Sequence, residues 1–187
     1  MRDLSNLTIA ADLAGCPNRC RHCWLSSPRN ANMDGNTLTE IAQMFRETRM
    51  IKNLGVAGWT RQPDYRDDYR KMWELENRLS DPGMARRYEL LSTWRLARDP
   101  DYAPWAAQVG PKTCQITFFG MEETTDWFMR RKGAFEDQLK ATEACLKAGI
   151  APRWQLFPTK KGLPELDDFL RLVDRLDIFR RCAHFQV

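Results

Sequence analysis

The sequence has only two histidines, His22 and His184, and no second short cysteine or histidine hairpin to partner the first. A closed structural zinc site usually joins two such hairpins, so zinc, with His22 as a fourth ligand, is the weaker reading of its clustered cysteines. An apolar run of spanning length is missing, and no signal-type apolar stretch opens the chain. The expectation is a cytoplasmic protein that does not enter a membrane. A Lys/Arg tract is missing too. Basic residues come in pairs such as Arg86-Arg87, Arg130-Arg131 and Arg180-Arg181, and the net charge is only +4. That speaks against a nucleic-acid partner and suits anionic small molecules about as well as RNA. Repeats, low-complexity segments and linkers are absent, so residues 1–187 read as a single domain. In a cytoplasmic chain, six cysteines are more readily metal ligands or buried thiols than disulfides.

What is present is Cys16-Pro-Asn-Arg-Cys20-Arg-His-Cys23, directly after the apolar run Leu7 to Leu13. A loop that follows a strand can wrap three thiolates around one metal centre. A cubane iron–sulfur cluster has four irons and is commonly held by four thiolates. Three cysteines leave one iron open, as catalytic metal sites keep an open position. Cys114 and Cys145 fall within apolar patterns and read as core, and Cys182 has no evident place.

The remaining chain alternates strand and helix patterns. Thr37-x-x-Glu40 has the form of a capping box ahead of a helix reaching about Met50. Asn53–Trp59 reads as a second strand, and Tyr65 to Leu79 as a helix ended by Ser80-Asp-Pro-Gly83. Tyr88–Trp94 reads as a third strand, Tyr102–Val109 as a short helix and Cys114–Phe119 as the clearest strand. Gly120–Lys132 is a loop or partly helical. A helix through Phe135, Leu139, Thr142 and Leu146 stops at Gly149, Ile150–Phe157 is a fifth strand, and Pro164 opens a last helix. Strands separated by helices predict parallel βαβ units.

The cysteine motif and the five βα units together resemble the radical S-adenosylmethionine (radical SAM) superfamily. Gln115–Phe135 is similar to the fourth-strand region of many members, with a strand, an acidic turn, an Arg and Gly-x-Phe opening the next helix. The resemblance runs from Leu7 to about Leu176. It implies an α/β fold, a partial (β/α)6 TIM-type barrel with about five βα units present and the C-terminal end incomplete. It also implies a [4Fe-4S] cluster on Cys16, Cys20 and Cys23, with SAM chelating the fourth iron. One electron then cleaves SAM to a 5′-deoxyadenosyl radical that abstracts hydrogen from a substrate. The partners so implied are an unidentified small-molecule or peptide substrate and an electron donor such as flavodoxin or ferredoxin.

The cofactor-binding residues that follow from this are spread along the chain. His22 stands where the family usually has an aromatic residue, and Trp24 follows the loop. The family often has Gly-Gly-Glu after the second strand; here Ala57-Gly58-Trp59-Thr60-Arg61 has no acid, and Gly58 keeps the backbone role. Ser92 follows the third strand. Gln115 and Thr117 alternate with apolar neighbours on the fourth, and Arg153 does so on the fifth. Arg130 is the best match for a group fixing the methionyl carboxylate, with Arg153 second. Glu122, Glu123 and Asp126 read either as catalytic acids or as a solvated loop. No catalytic residue is assigned. A non-catalytic iron–sulfur or zinc protein on the same fold is the alternative, and a small-molecule-binding α/β domain with incidental cysteines a third reading.

Overall fold

The structure, a computed structural model, describes residues 5–25, 29–48, 51–58, 62–84 and 90–187. They fall into two compact units. Met1–Cys16 with Arg29–Tyr88 forms one, and Pro17–Pro28 with Glu89–Val187 the other.

In the first unit β1 (Asn6–Ala10) pairs in parallel with β2 (Asn53–Ala57), Ile9 lying opposite Val56. Helix α1 (Gly35–Arg46) lies between them in sequence and α2 (Tyr69–Leu79) follows. The first helix begins earlier than the capping-box reading placed it. Asp34 is the N-cap, and its carboxylate accepts from both the amide and the hydroxyl of Thr37, each at 2.9 Å. A carboxylate meets the unpaired N–H groups of a first turn better than a hydroxyl does. Leu38 and Ala42 of α1, Leu54 and Val56 of β2, Met72 of α2 and Ala11 and Leu13 form the core. Ser80 ties α2 to the sheet, accepting from Val56 N at 2.9 Å and donating to Glu76 O at 2.8 Å.

The second unit holds α3 (Thr93–Leu96), α4 (Tyr102–Val109), β3 (Thr113–Phe118), α5 (Glu122–Met129), α6 (Ala134–Lys147), β4 (Ala151–Leu156), α7 (Leu166–Arg175), α8 (Ile178–Arg181) and β5 (His184–Gln186). Its sheet is parallel throughout, in the order β3-β4-β5. Cys114, Ile116 and Phe118 alternate onto one buried face with Pro152, Trp154 and Leu156. The ring of Phe118 lies 4.3 Å from Trp154 and 5.3 Å from Phe169 of α7. Burying side chains of this size contributes roughly 1.5–3 kcal/mol each.

One expectation is corrected. Residues 90–92 of the third strand form no strand, and Thr93–Leu96 is a helix capped by Ser92, whose hydroxyl accepts from Arg95 N at 3.3 Å. Tyr88 and Glu89 lie outside the described residues, as do Trp59, Thr60 and Arg61, where the family acid was sought. A short strand does follow the last helix, since β5 pairs with β4, Arg153 opposite His184 and Gln155 opposite Gln186. Among the described residues no helix is long and apolar enough to cross a membrane.

Candidate cofactor site

The first unit builds the approach to the cysteine loop. Gly15 has a φ of 103°, a conformation open to glycine and costly for other residues. Its missing Cβ is what makes room for the Asn30 side chain. The next residue is gripped at both backbone groups, for Cys16 N donates to Asn30 Oδ1 at 3.2 Å and Asn30 Nδ2 donates to Cys16 O at 2.9 Å. Arg66 is buried below. Its Nη1 donates to Leu13 O at 3.1 Å and to Met33 O at 2.7 Å, joining the segments before and after the loop. Asp68 takes its other nitrogens at 2.5 and 2.9 Å, and this ion pair holds the Asp68 carboxyl below the ordinary carboxylate value. Gln62 N closes the cradle on Gly15 O at 3.0 Å.

The second unit holds the loop itself. Arg19 N donates to Met129 O at 3.0 Å and Arg21 N to Phe128 O at 2.8 Å, so the loop lies along the last turn of α5. The Arg21 guanidinium stacks 3.8 Å over the Trp127 ring and donates through Nε to Trp127 O at 3.1 Å. Buried Asn18 accepts from Arg131 Nε at 2.6 Å, and Arg131 also pairs with Asp137 at 2.5 Å. Cys20 packs against Phe119, Met129 and Ala134. Cys23 N donates to Cys20 O at 3.1 Å, which puts these two cysteines on one turn. His22 lies over Phe119, centroids 4.5 Å apart, and near Phe157 at 6.2 Å, the residues that follow β3 and β4. Although the residue stays accessible, this partial burial of its ring lowers the His22 pKa below the ordinary value.

The other expected cofactor residues divide. Gln115, Thr117 and Arg153 come together on the half-buried polar face of β3 and β4. Arg153 Nη2 donates to Gln115 Oε1 at 2.7 Å, and Gln115 Nε2 to Thr117 Oγ1 at 3.4 Å. Gln155, His184 and Gln186 share that face by register. Arg130 is exposed in the left-handed conformation (φ 51°) that ends α5, and it lines an open groove of about 1020 Å³ with Arg21, Trp127 and Arg131. Ser92 is fully buried, and its N–H donates to Tyr102 Oη at 3.4 Å; it caps a helix and does not stand at a strand end. Gly58 follows β2 where a Cβ would strike Leu13. Trp24 is 78% exposed.

The acidic turn resolves into structural roles. Asp126 accepts from Gly133 N at 2.5 Å and Phe135 N at 2.9 Å, which accounts for the Asp and Gly-x-Phe pattern as a cap on α6. Glu123 pairs with Lys161 at 3.1 Å. Of the tryptophans near strand ends, Trp154 is fully buried core, bonded through Nε1 to Thr142 Oγ1 at 2.9 Å, and Trp127 is the platform for Arg21. Cys114 and Cys145 are core, as read. Cys182 is buried as well, and burial pushes its thiol up to about 11.

Among the described residues no three or more His, Cys, Asp or Glu converge as a preformed metal site. The donor set still fits a cluster. Cys16, Cys20 and Cys23 are half-buried thiols outside any disulfide, and soft sulfur donors of that number suit iron–sulfur chemistry. The class defined by parallel strands and intervening helices is a partial TIM-type α/β fold. The radical SAM superfamily profile matches residues 13–176, and the chain belongs to that superfamily. A similar solved structure is native anSMEcpe with bound AdoMet and Cp18Cys peptide. It is 14% identical, with a TM-score of 0.62, over 97% of this chain and 50% of that one. The chain therefore spans about half the length of that protein, whose fold it shares. No curated protein sequence matches it.

Proposed function

We propose that this chain is a radical SAM enzyme or the cofactor-binding part of one, in which Cys16, Cys20 and Cys23 each ligate one iron of a [4Fe-4S] cluster and the open iron takes SAM. The observation that carries this reading is the three-thiol loop within the matched residues, its Cys20 and His22 packed on Phe119 where β3 ends. The solved relative carries AdoMet, which supports SAM as the second cofactor. The chemistry supplied by that pair when bound is one-electron reductive cleavage of SAM, with hydrogen abstraction from a substrate by the resulting 5′-deoxyadenosyl radical.

The chain's own residues bind, orient and shield. His22 seats the loop on Phe119 and Phe157. Gln115 braces the Arg153 guanidinium on the polar face, where a planar fork can bind both oxygens of the methionyl carboxylate. Arg130 offers the same group in a more exposed position. Thr117 adds a hydroxyl beside Gln115. Gly58 lets the backbone approach closely after β2. The substrate is a small molecule or a peptide, the electron comes from a donor such as flavodoxin or ferredoxin, and the protein works in the cytoplasm.

Anaerobic reconstitution tests this directly. The wild-type chain should take up about four irons with matching sulfide, and Cys20→Ala should lose most of them. With dithionite and SAM, 5′-deoxyadenosine should form. An iron content well below three per chain, or full iron retention in Cys20→Ala, would sink the proposal.

A further inference from the structure

We propose that Asn30 is a positioning residue for Cys16, fixing the direction of that thiolate and keeping its backbone N–H away from the cluster sulfurs. The proposal rests on the reading of Cys16 as a cluster ligand. Asn30 lies fourteen residues after Cys16 in sequence, yet it takes both of that residue's backbone groups, accepting from the N–H at 3.2 Å and donating to the carbonyl at 2.9 Å. A side-chain amide used this way replaces a strand partner at a point where the chain has left the sheet.

The surroundings make this grip specific. Gly15 admits Asn30 only because it lacks a Cβ, and its φ of 103° turns the chain toward Asn30. Below it, Met33 N donates to Leu13 O at 3.0 Å, and Arg66 bonds the carbonyls of both. The segment carrying Asn30 is thus tied to the segment carrying Cys16 at two levels.

The electrical consequence follows from where the N–H points. Hydrogen bonds to cluster sulfurs and access of water stabilise the more negative, reduced state and raise the potential. With its N–H held by Asn30 Oδ1, Cys16 has no amide proton to give. Asn30→Ala releases that proton to a sulfur or to water, and either favours reduction.

The test compares Asn30→Ala with Asn30→Asp, which keeps an oxygen acceptor for Cys16 N, loses the donor and adds a carboxylate charge that itself disfavours reduction. Both are reconstituted anaerobically beside the wild type, with iron content, the reduced-state EPR spectrum and the midpoint potential as readouts, and apo-protein melting as a check on folding. Asn30→Ala should bind at least about twofold less iron, and its one-electron reduction constant should rise roughly tenfold, about 59 mV. Asn30→Asp should show no rise in potential. If Asn30→Ala does not fold, Asn30→Ser, too short to bridge both groups, carries the same expectation. Wild-type iron and potential in the Ala or Ser variant, or an equal rise in the Asp variant, overturn the proposal. A wild-type chain that takes up no iron overturns the cluster reading itself, and the proposal with it.

Discussion

At the scale of single residues, the cysteines were legible and their supports were not. Three thiols at fixed spacing announce themselves. Asn30, Arg66 and Arg131 do not, because their partners stand 14, 53 and 113 positions away. Gly58 was singled out for cofactor contact on the family pattern, and the structure gives it a packing reason of its own. Gly58→Ala would drive a methyl group into buried Leu13, and the expected cost is about 1–3 kcal/mol, read from the urea midpoint. The carboxylates of the first unit set its acid limit. Asp68 is held low by the Arg66 hydrogen bonds, Asp81 by Leu54 N and Arg46, and Asp34 by Thr37. A carboxyl whose folded pKa lies below its unfolded value stabilises the fold above the unfolded value, and that contribution is lost as pH falls through the folded one. Urea stability should therefore begin to fall as pH drops below about 6.5, where the unfolded His22 protonates before the folded one, and should decline further below about pH 5 as the carboxylates protonate. Asp81→Asn should lower stability at neutral pH and flatten that decline.

At the scale of elements, turn residues mark some ends well: the short helix expected over Tyr102–Val109 ahead of Gly110-Pro111 is α4. Short apolar runs were less secure. Tyr88–Trp94 is apolar enough for a strand, but Ser92-Thr93 carries a cap signal, and a buried helical turn cannot be told from a strand by periodicity over so few residues. The strand β5 could not be delimited within Arg180–Val187 for the opposite reason, since three residues, His184–Gln186, show no period at all. The sequence after β3 reads between loop and helix because Asp126 acts across a gap, capping Gly133 and Phe135 beyond the end of α5. Asp126→Ala should cost about 0.5–2 kcal/mol. It should also loosen the turn that bonds Arg19 and Arg21, so trypsin should cut the cysteine loop faster than in the wild type. Unchanged loop proteolysis with the stability loss present would show that the junction caps α6 without holding the loop.

At the scale of the whole molecule, the alternation of strands and helices gave the class, and the division of the strands into a pair and a triplet was invisible in the sequence. The reason is that each sheet carries its own core. Leu38, Leu54, Val56 and Met72 serve one. Ile116, Phe118, Trp154 and Phe169 serve the other, all of them fully buried. Among the described residues neither core cluster includes a cysteine of the loop, and Cys20 packs against the small group of Phe119, Met129 and Ala134. Metal binding is coupled to folding where the ligands are the core, as in small zinc domains. Here the ligands stand apart from it. Removing iron from a reconstituted chain with a chelator should therefore leave the far-UV circular dichroism unchanged and lower the melting temperature by only a few degrees, while proteolysis of residues 17–25 accelerates. Phe169→Ala, by contrast, should cost about 3–5 kcal/mol whether or not iron is present. Cooperative unfolding on chelation would mean that the loop is a structural keystone, and the separation of core from cofactor ligands would be wrong.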